Sequence, residues 1–344
     1  MNRFKFFKAD TIEESITEVY SNDSAKFISG GTNLIDLMRV NVERPERVVD
    51  INHLDLNTID DLRDGGIRLG ALVKNADTAY DERVKKRYPL LSKAILAGAS
   101  PQIRNMASNG GNLLQRTRCY YFYDTATACN KRNPGQGCAA MNGFNRIHAI
   151  LGASEHCIAT HPSDMCVALA ALDAIVNVRG NDGERTIPFK DFHRLPGDTP
   201  NVDTTLKKGD LITGITLPPN GLAKHYQYIK VRDRRSYAFA LVSVAAALEL
   251  EDDSIKDVRI ALGGVAHKPW RDSDTESLLK GKLATEENFR DAAKNILREA
   301  KGLRYNEFKI TLAERAIVRA LTEARDLGQP EPLNCYTYNV HEQL

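Results

Sequence analysis

The sequence predicts an α+β protein with a large N-terminal domain followed by a smaller C-terminal domain. Its 344 residues are enough for two domains. Short apolar runs alternate with helix patterns up to the proline pair Pro218–Pro219, and longer apolar runs then precede a mostly helical segment. We therefore predict a domain boundary near residue 222. It separates residues 1–222 from residues 223–330 and leaves residues 331–344 as a tail.

Two subdomains are predicted within residues 1–222. In residues 1–56, Thr11 is placed to cap a helix whose first turn contains Glu13 and Glu14. The run AKFISGGTNL then combines a short apolar strand, a glycine pair and a helix start. This pattern indicates a small α/β unit, and residues 57–222 form the larger subdomain.

Composition and charge exclude some classes of function. A net charge of +2 gives the chain no broad attraction to nucleic acid or to anionic membranes. No apolar stretch reaches the roughly 18 residues that a membrane-spanning helix needs. The start of the chain, MNRFKFFKAD, lacks the long apolar run of a signal peptide. We expect a cytoplasmic protein, or else a periplasmic one exported together with a signal-bearing partner.

Two loops each combine a glycine pair with small polar residues. They have the sequences SGGTNL at residues 29–34 and SNGGNL at residues 108–113. Glycines let the backbone approach a pyrophosphate, and the N–H groups of a following helix start face its charge. Neither loop has the glycine spacing of a Rossmann or P-loop nucleotide site. Taken alone, each loop is equally consistent with a tight turn.

Four of the six cysteines fall within a 39-residue segment, as Cys119, Cys129, Cys138 and Cys157. Their spacing, C-x9-C-x8-C-x18-C, lacks both the close pairs of structural zinc sites and the compact run of bacterial ferredoxins. A disulfide framework is not expected in a long chain without a secretion signal. Spacing alone leaves open an iron–sulfur cluster, zinc or free buried thiols. Cys166 and Cys335 are expected to be inert thiols.

Several motifs together resemble one known family. The strings SGGTNLIDL, IRNMASNGGNLLQ, HPSDM and LITGITLP occur in the order found in the xanthine dehydrogenase and carbon monoxide dehydrogenase flavoproteins. HPSDM is one residue shorter than that family's P-x-SD motif. KVRDRRSYAFALVSVAAAL and RIALGGVAHKPWR resemble the start of its C-terminal domain. The resemblance implies a two-subdomain FAD-binding domain of the PCMH/CO-dehydrogenase flavoprotein type, followed by a CO-dehydrogenase-flavoprotein-like C-terminal domain.

The resemblance also implies which residues bind FAD. The first loop would hold the pyrophosphate through the backbone of Ile28, Ser29, Gly30, Gly31, Thr32, Asn33 and Leu34. The second loop would hold the pyrophosphate and the ribityl region through Ser108, Gly110, Gly111 and Asn112. Asp164 would bond ribityl or adenine-side hydroxyls, Ile212 would pack on the flavin ring and Lys230 would reach its pyrimidine edge. A helix N-cap for Asp164 and a solvated strand position for Lys230 stay open. No residue is predicted to be catalytic.

An insert of about residues 116–160 separates Asn112 from His161 by 48 residues, whereas most family members have about ten there. The insert resembles that of a subgroup that includes 4-hydroxybenzoyl-CoA reductase. It resembles even more closely the FAD subunit of the bacterial three-subunit aldehyde oxidoreductases. This resemblance implies one [4Fe–4S] cluster held by Cys119, Cys129, Cys138 and Cys157.

The function implied by the resemblance is that of an oxidoreductase subunit. It would receive electrons from a molybdopterin-binding large subunit and a [2Fe–2S] small subunit in a heterotrimer. Electrons would leave through FAD to ferredoxin, oxygen, a quinone or NAD. The alternatives are a subunit of a xanthine dehydrogenase or of a 4-hydroxybenzoyl-CoA reductase-like complex, a flavin enzyme acting alone, and a zinc-stapled binding module without a redox role.

Overall fold

The computed structural model describes residues 1–327, in which three β-sheets contain the strands named below. The predicted tail at residues 331–344 and Cys335 lie outside the described residues. Among the helices described, none combines the length and the apolar character needed to cross a membrane. The predicted α+β class is confirmed, because one sheet is parallel with crossover helices and the other two are antiparallel.

The first sheet belongs to the small N-terminal subdomain. Its strand order is β1-β3-β2, and the central strand pairs in parallel with both neighbours. Parallel neighbours need crossover connections, and a helix supplies each of them. As predicted, the Thr11 hydroxyl accepts a hydrogen bond from the Glu14 N–H at 3.1 Å and caps the first helix. The elements are β1 (Lys5–Lys8), α1 (Ile12–Tyr20), β2 (Ala25–Ile28), α2 (Leu34–Arg39) and β3 (Arg47–Asp50).

The second sheet is antiparallel, with the strand order β4-β5-β8-β6-β7. Its strands are β4 (Ile59–Asp61), β5 (Ile67–Gly70), β6 (Ile175–Gly180), β7 (Gly183–Pro188) and β8 (Leu211–Leu217). The helices that accompany it are α3 (Asn75–Tyr80), α4 (Glu82–Arg87), α5 (Pro89–Ala97), α6 (Pro101–Arg104), α7 (Asn109–Leu113), α8 (Tyr120–Tyr123), α9 (Asp164–Ala171) and α10 (Phe189–Phe192). Every residue of α9 is buried, so this helix forms the centre of the domain.

The third sheet is antiparallel, with the order β12-β11-β10-β9, and lies beyond the predicted boundary near residue 222. Strand β10 is continuously apolar over residues 244–248 because both of its faces are buried there. Val244 and Ala246 face the C-terminal core, whereas Ala245 and Ala247 face the core around α9. The elements are β9 (His225–Val231), β10 (Val242–Glu251), β11 (Ser254–Gly263), β12 (Trp270–Arg271), α11 (Ser273–Leu279), α12 (Glu286–Ile296) and α13 (Phe308–Asp326).

The cysteine-bearing insert is mostly turns, with α8 as its one helix in the described chain. It nevertheless packs deeply. Ile150 and Leu151 belong to the C-terminal core, and both of their N–H groups donate to the Val265 carbonyl oxygen, at 2.9 and 3.0 Å. On the other side, the Lys301 N–H donates to the Ile150 carbonyl. Lys301 lies beyond the end of helix α12 at Ile296.

Candidate functional site

The two glycine loops meet on one side of a large cleft. Gly30 touches the segment just before the second loop so closely that an added Cβ would lie 1.9 Å from the Met106 carbonyl oxygen. Gly31 has a φ of +69°, a conformation that favours glycine. The cleft measures about 1050 Å³, which is enough for a dinucleotide. Twelve of the fourteen predicted FAD-binding residues line it, and Gly110 and Ile212 are the exceptions.

A buried amide network holds the second loop in place. Asn109 is fully buried and donates to the Gly70 carbonyl oxygen at 3.3 Å. Its side-chain oxygen accepts from Asn75 and Thr78, each at 3.1 Å. Because an unpaired buried amide is costly, this network fixes the loop to β5 and α3. Ser108 caps α7 by accepting from the Gly111 N–H at 3.3 Å.

Asn112 joins the second loop to the HPSDM motif. Its side-chain oxygen accepts a hydrogen bond from the Ser163 hydroxyl at 2.5 Å, and its amide donates to the Asn75 side-chain oxygen at 2.6 Å. The Ser163 hydroxyl also accepts from the Cys166 N–H and so provides the N-cap of α9. The cap of α9 is therefore Ser163 and not Asp164. The structure thus brings together the second loop and the motif 48 residues further along.

Asp164 and Lys230 form a buried ion pair on the cleft. The Lys230 ammonium donates to the Asp164 carboxylate at 2.8 Å and to the Ala97 carbonyl oxygen at 3.1 Å. The other carboxylate oxygen accepts from the Tyr228 hydroxyl at 2.7 Å, and burial raises the pKa of that phenol well above its usual value. The two side chains are only 9% and 5% exposed, so Lys230 is not a solvated strand lysine. Tyr228 lies 64 residues from Asp164, and no sequence pattern predicted this contact.

Gly110 and Ile212 lie behind the loop rather than on the cleft. The Gly110 N–H donates to the Ala71 carbonyl at 2.8 Å, and a Cβ on Gly110 would lie 3.1 Å from the Ala71 Cβ and 3.6 Å from the Ile212 Cβ. Ile212 is buried on β8. In this arrangement it supports the second loop from beneath, and its predicted contact with the flavin ring stays a prediction.

The four predicted cluster cysteines line one cavity. Cys119, Cys129 and Cys157 are buried and Cys138 is partly buried, and all four are free of disulfide bonds. The backbones of Cys129 and Cys138 pair in a short antiparallel β-bridge, which brings the two positions side by side. By the measure that gives about 1050 Å³ for the cleft, this cavity is small, at about 10 Å³. His148, whose role the sequence did not reveal, places its Nε2 3.1 Å from the Cys119 sulfur.

Burial and the neighbouring cysteines disfavour ionisation of the Cys119 and Cys157 thiols. Burial raises the pKa of Cys119 to about 12 and that of Cys157 to about 11, and the neighbouring cysteines act in the same direction. A positively charged metal group would reverse this effect, because thiolates are the form that binds metal. Four thiols on one cavity are nevertheless a donor set suited to a thiolate-bound metal centre.

The separation of the sulfurs argues against a single metal ion. In a tetrahedral zinc site, zinc–sulfur bonds of about 2.3 Å place the sulfurs about 3.8 Å apart. Among the described residues, the one group of three or more possible ligands that lie within 4.8 Å of each other is His161, Cys166 and His193. No three of the four cavity sulfurs meet that limit. The rings of His161 and His193 lie 4.3 Å apart at an angle of 55°, and burial lowers the pKa of both, that of His193 to about 4.

Family models cover both parts of the chain. Residues 2–220 match the FAD binding domain in molybdopterin dehydrogenase, and residues 225–324 match the CO dehydrogenase flavoprotein C-terminal domain. The chain belongs to the molybdopterin dehydrogenase FAD-binding family. The first match contains both glycine loops and the HPSDM motif, and it supports FAD as the occupant of the cleft.

Individual relatives agree with this family. The chain is 49% identical over 327 residues to the aldehyde oxidoreductase FAD-binding subunit PaoB of Escherichia coli (strain K12), covering 94% of this chain and 99% of the relative. It is 28% identical to the glyceraldehyde dehydrogenase medium chain of Sulfolobus acidocaldarius, covering 85% and 86%. The prediction of an oxidoreductase FAD-binding subunit of the molybdenum hydroxylase family is confirmed.

Two solved structures have a fold similar to that of this chain. A chain of the carbon monoxide dehydrogenase from Hydrogenophaga pseudoflava, in a form that lacks the Mo-pyranopterin moiety, matches with a TM-score of 0.74 at 22% identity. The match covers 94% of this chain and 97% of that one. A chain of quinoline 2-oxidoreductase from Pseudomonas putida 86 matches with a TM-score of 0.72 over 94% and 98%. Both similarities concern the fold alone.

Proposed function

We propose that this chain is the electron-transfer FAD subunit of a molybdenum-dependent aldehyde oxidoreductase. The observation that carries the proposal is the meeting of both glycine loops on one cleft of dinucleotide size. The aldehyde oxidoreductase relative, at 49% identity over nearly its whole length, supports the choice of substrate class. In the assembled enzyme, this chain would take electrons from partner subunits and deliver them to an external acceptor.

Within the cleft, each group of residues has a proposed task. The backbone of residues 28–34 and the second-loop residues Ser108, Gly111 and Asn112 hold the pyrophosphate and the ribityl chain, while Gly110 and Ile212 shape the loop from behind. Lys230 already neutralises Asp164, so the pair offers FAD one compact polar surface without a net charge. When bound, FAD supplies a redox centre that exchanges electrons singly or in pairs.

The partners are proposed from the same relationship. Several relatives are medium chains or medium subunits, which implies large and small partners. We propose a molybdopterin-binding large subunit, where the aldehyde is oxidised, and a [2Fe–2S] small subunit that conducts electrons to this chain. The acceptor is ferredoxin, oxygen, a quinone or NAD. No catalytic residue is proposed in this chain, because its own site binds and positions a cofactor.

The cysteine cavity is proposed to hold a [4Fe–4S] cluster through Cys119, Cys129, Cys138 and Cys157. Two features support it: the four thiols line one cavity, and no three of their sulfurs lie close enough together for a single zinc ion. The cluster would supply one-electron storage beside the flavin site. A zinc staple is the alternative, and metal analysis distinguishes the two.

The test is the cofactor content of the complex purified with its partners. We expect about one FAD and about four irons in addition to those of the small subunit. Cys129→Ser should remove those four irons and leave FAD bound. Cys166→Ser is the matched control, because Cys166 is also a fully buried thiol but lies outside the cavity, and it should keep both. Zinc in place of iron would contradict the cluster, and a complex without FAD that fails to oxidise aldehydes would contradict the function.

A further inference from the structure

Lys131 is a buried lysine between the cysteine cavity and the FAD cleft. It follows Cys129 by two residues, its side chain is 2% exposed, and it lines the cavity with the four cysteines. Its ammonium has three partners: the Pro200 carbonyl oxygen at 3.0 Å, the Asp203 carboxylate, and the His267 Nε2 at 2.6 Å. A neutral amine has only two N–H donors, whereas an ammonium has three.

The arrangement of the three partners matches a charged lysine. His267 Nδ1 lies 2.9 Å from the Arg194 carbonyl oxygen, to which it donates, so Nε2 is left as the acceptor for Lys131. Asp203 is ionised, because Lys131 and Arg116 lower its pKa despite its burial. All three donors of Lys131 are therefore used by acceptors, and one of these is a carboxylate.

Ion pairs continue from Lys131 to the edge of the FAD cleft. Asp203 also contacts the Arg116 guanidinium at 2.6 Å, and Arg116 contacts the Glu43 carboxylate at 2.5 Å. Asp203, Arg116 and Glu43 all line the FAD cleft, whereas Lys131 lines the cysteine cavity. This chain of alternating charges thus joins the two sites, with its positive end at the cysteines.

The charge of Lys131 acts on the cysteine cavity. Its side chain is 2% exposed and lines the cavity together with the four cysteines. A buried cation favours any negative charge that is added beside it. In a buried, weakly screened site, such an effect extends further than it would in water.

We propose that Lys131 is a positioning residue that raises the reduction potential of the centre held by the four cysteines, and that Asp203 limits this rise. The proposal rests on the [4Fe–4S] cluster proposed above. Reduction adds one electron, supplied by the flavin or by the partner iron–sulfur subunit. It makes or breaks no bond and needs no proton. Lys131 favours the added negative charge, and the Asp203 carboxylate opposes it.

The test is the potential of the cluster in the purified complex, from a redox titration followed by electron paramagnetic resonance. Lys131→Gln should lower the equilibrium constant for reduction at least tenfold, a shift of about 59 mV to more negative potential. Asp203→Asn should shift the potential in the opposite direction. Lys131→Arg keeps the charge and should restore a potential close to that of the wild type. Lys207→Gln is the control, because it removes a lysine charge from an exposed ion pair with Asp182 and should shift nothing.

The outcomes separate this inference from the proposed function. Equal potentials in wild type, Lys131→Gln and Asp203→Asn would overturn the inference while leaving the cluster in place. Loss of iron in Lys131→Gln and Lys131→Arg alike would show that Lys131 only maintains the fold, which overturns the inference as well. A wild-type complex without iron at these cysteines would instead overturn the cluster itself.

Discussion

Replacing Gly30 with alanine tests whether the two glycine loops act as one binding surface. The new Cβ would lie 1.9 Å from the Met106 carbonyl oxygen and 2.7 Å from its carbonyl carbon. Ordinary contact begins at 3.4 Å, so the loops must separate by about 3.4 − 1.9 = 1.5 Å. The atoms in the way are backbone, which no side-chain rotation can move. We expect the variant to lose about 1–3 kcal/mol of stability through overpacking.

The larger effect should fall on FAD, because both loops must contact the same pyrophosphate. A separation of 1.5 Å exceeds the tolerance of a hydrogen bond, so contacts from one loop are lost. Losing one or two charge-assisted contacts, each worth about 1.5–3 kcal/mol, weakens FAD binding at least tenfold. The assays are the FAD-to-protein ratio after purification, the dissociation constant of FAD for the flavin-free chain, and thermal unfolding.

Gly281→Ala is the control for lost stability without a clash at the cleft. Gly281 has a φ of +80° and nothing within 4 Å of an added Cβ, so alanine costs backbone strain alone. It should lower the melting temperature yet leave the FAD content unchanged. The reasoning is refuted if Gly30→Ala binds FAD with wild-type affinity, or if Gly281→Ala loses as much FAD at a similar loss of stability.

Two further substitutions test the buried charges. Lys230→Met should lower the free energy of unfolding by about 3–5 kcal/mol, because it leaves the Asp164 carboxylate buried and unpaired. The double variant with Asp164→Asn should recover much of this loss in urea denaturation, and a double variant as unstable as the single one would contradict the ion-pair explanation. For Lys309, burial lowers the pKa from 10.5 to about 7, so the unfolded chain binds more protons between those pH values. Its contribution to stability is therefore complete above about pH 10.5 and declines as the pH falls toward 7. As the pH is lowered from 10.5 to 7, the unfolding free energy of wild type minus that of Lys309→Met should fall by up to about 1.4 kcal/mol per pH unit. A difference that does not depend on pH would contradict this prediction.

The glycine loops show what a sequence reveals about this site. A glycine pair after a strand indicates a close approach to the backbone, and in the structure Gly30 of the first loop contacts Met106, just before the second loop. Neither loop alone indicates that contact, since 75 residues lie between Gly30 and Met106. The order of several motifs along the chain, rather than any single loop, identified the FAD-binding family that the comparisons confirm.

The partners of the charged residues could not be predicted in the same way. Lys230 lies on β9 and Asp164 at the start of α9, and their pairing depends on how the third sheet packs against the buried helix. The sequence pattern of β9 or of α9 does not show how the two elements pack against each other. The same holds for Asp203, which lies in an irregular connection between α10 and β8, yet links the cysteine cavity to the cleft. Periodicity locates the elements, whereas the long-range ion pairs follow from their tertiary contacts.

The contacts between the cysteine-bearing insert and the C-terminal domain could not be predicted from the sequence either. Its irregular sequence and its position between two FAD motifs indicate a separate, cofactor-bearing addition. In the structure, the Lys309 ammonium, which belongs to α13, donates to the His148 carbonyl oxygen at 2.7 Å and to that of Gly264 at 2.6 Å. Asn306 donates to His148 and Ala149 as well, at 3.2 and 3.1 Å. The insert thus supplies backbone acceptors to two buried polar side chains of the C-terminal domain. Because such groups are costly to leave unpaired, the cysteine segment and the C-terminal domain depend on each other for stability. Any cofactor held by the cysteines would lie next to this interface, because His148 also places its Nε2 3.1 Å from the Cys119 sulfur.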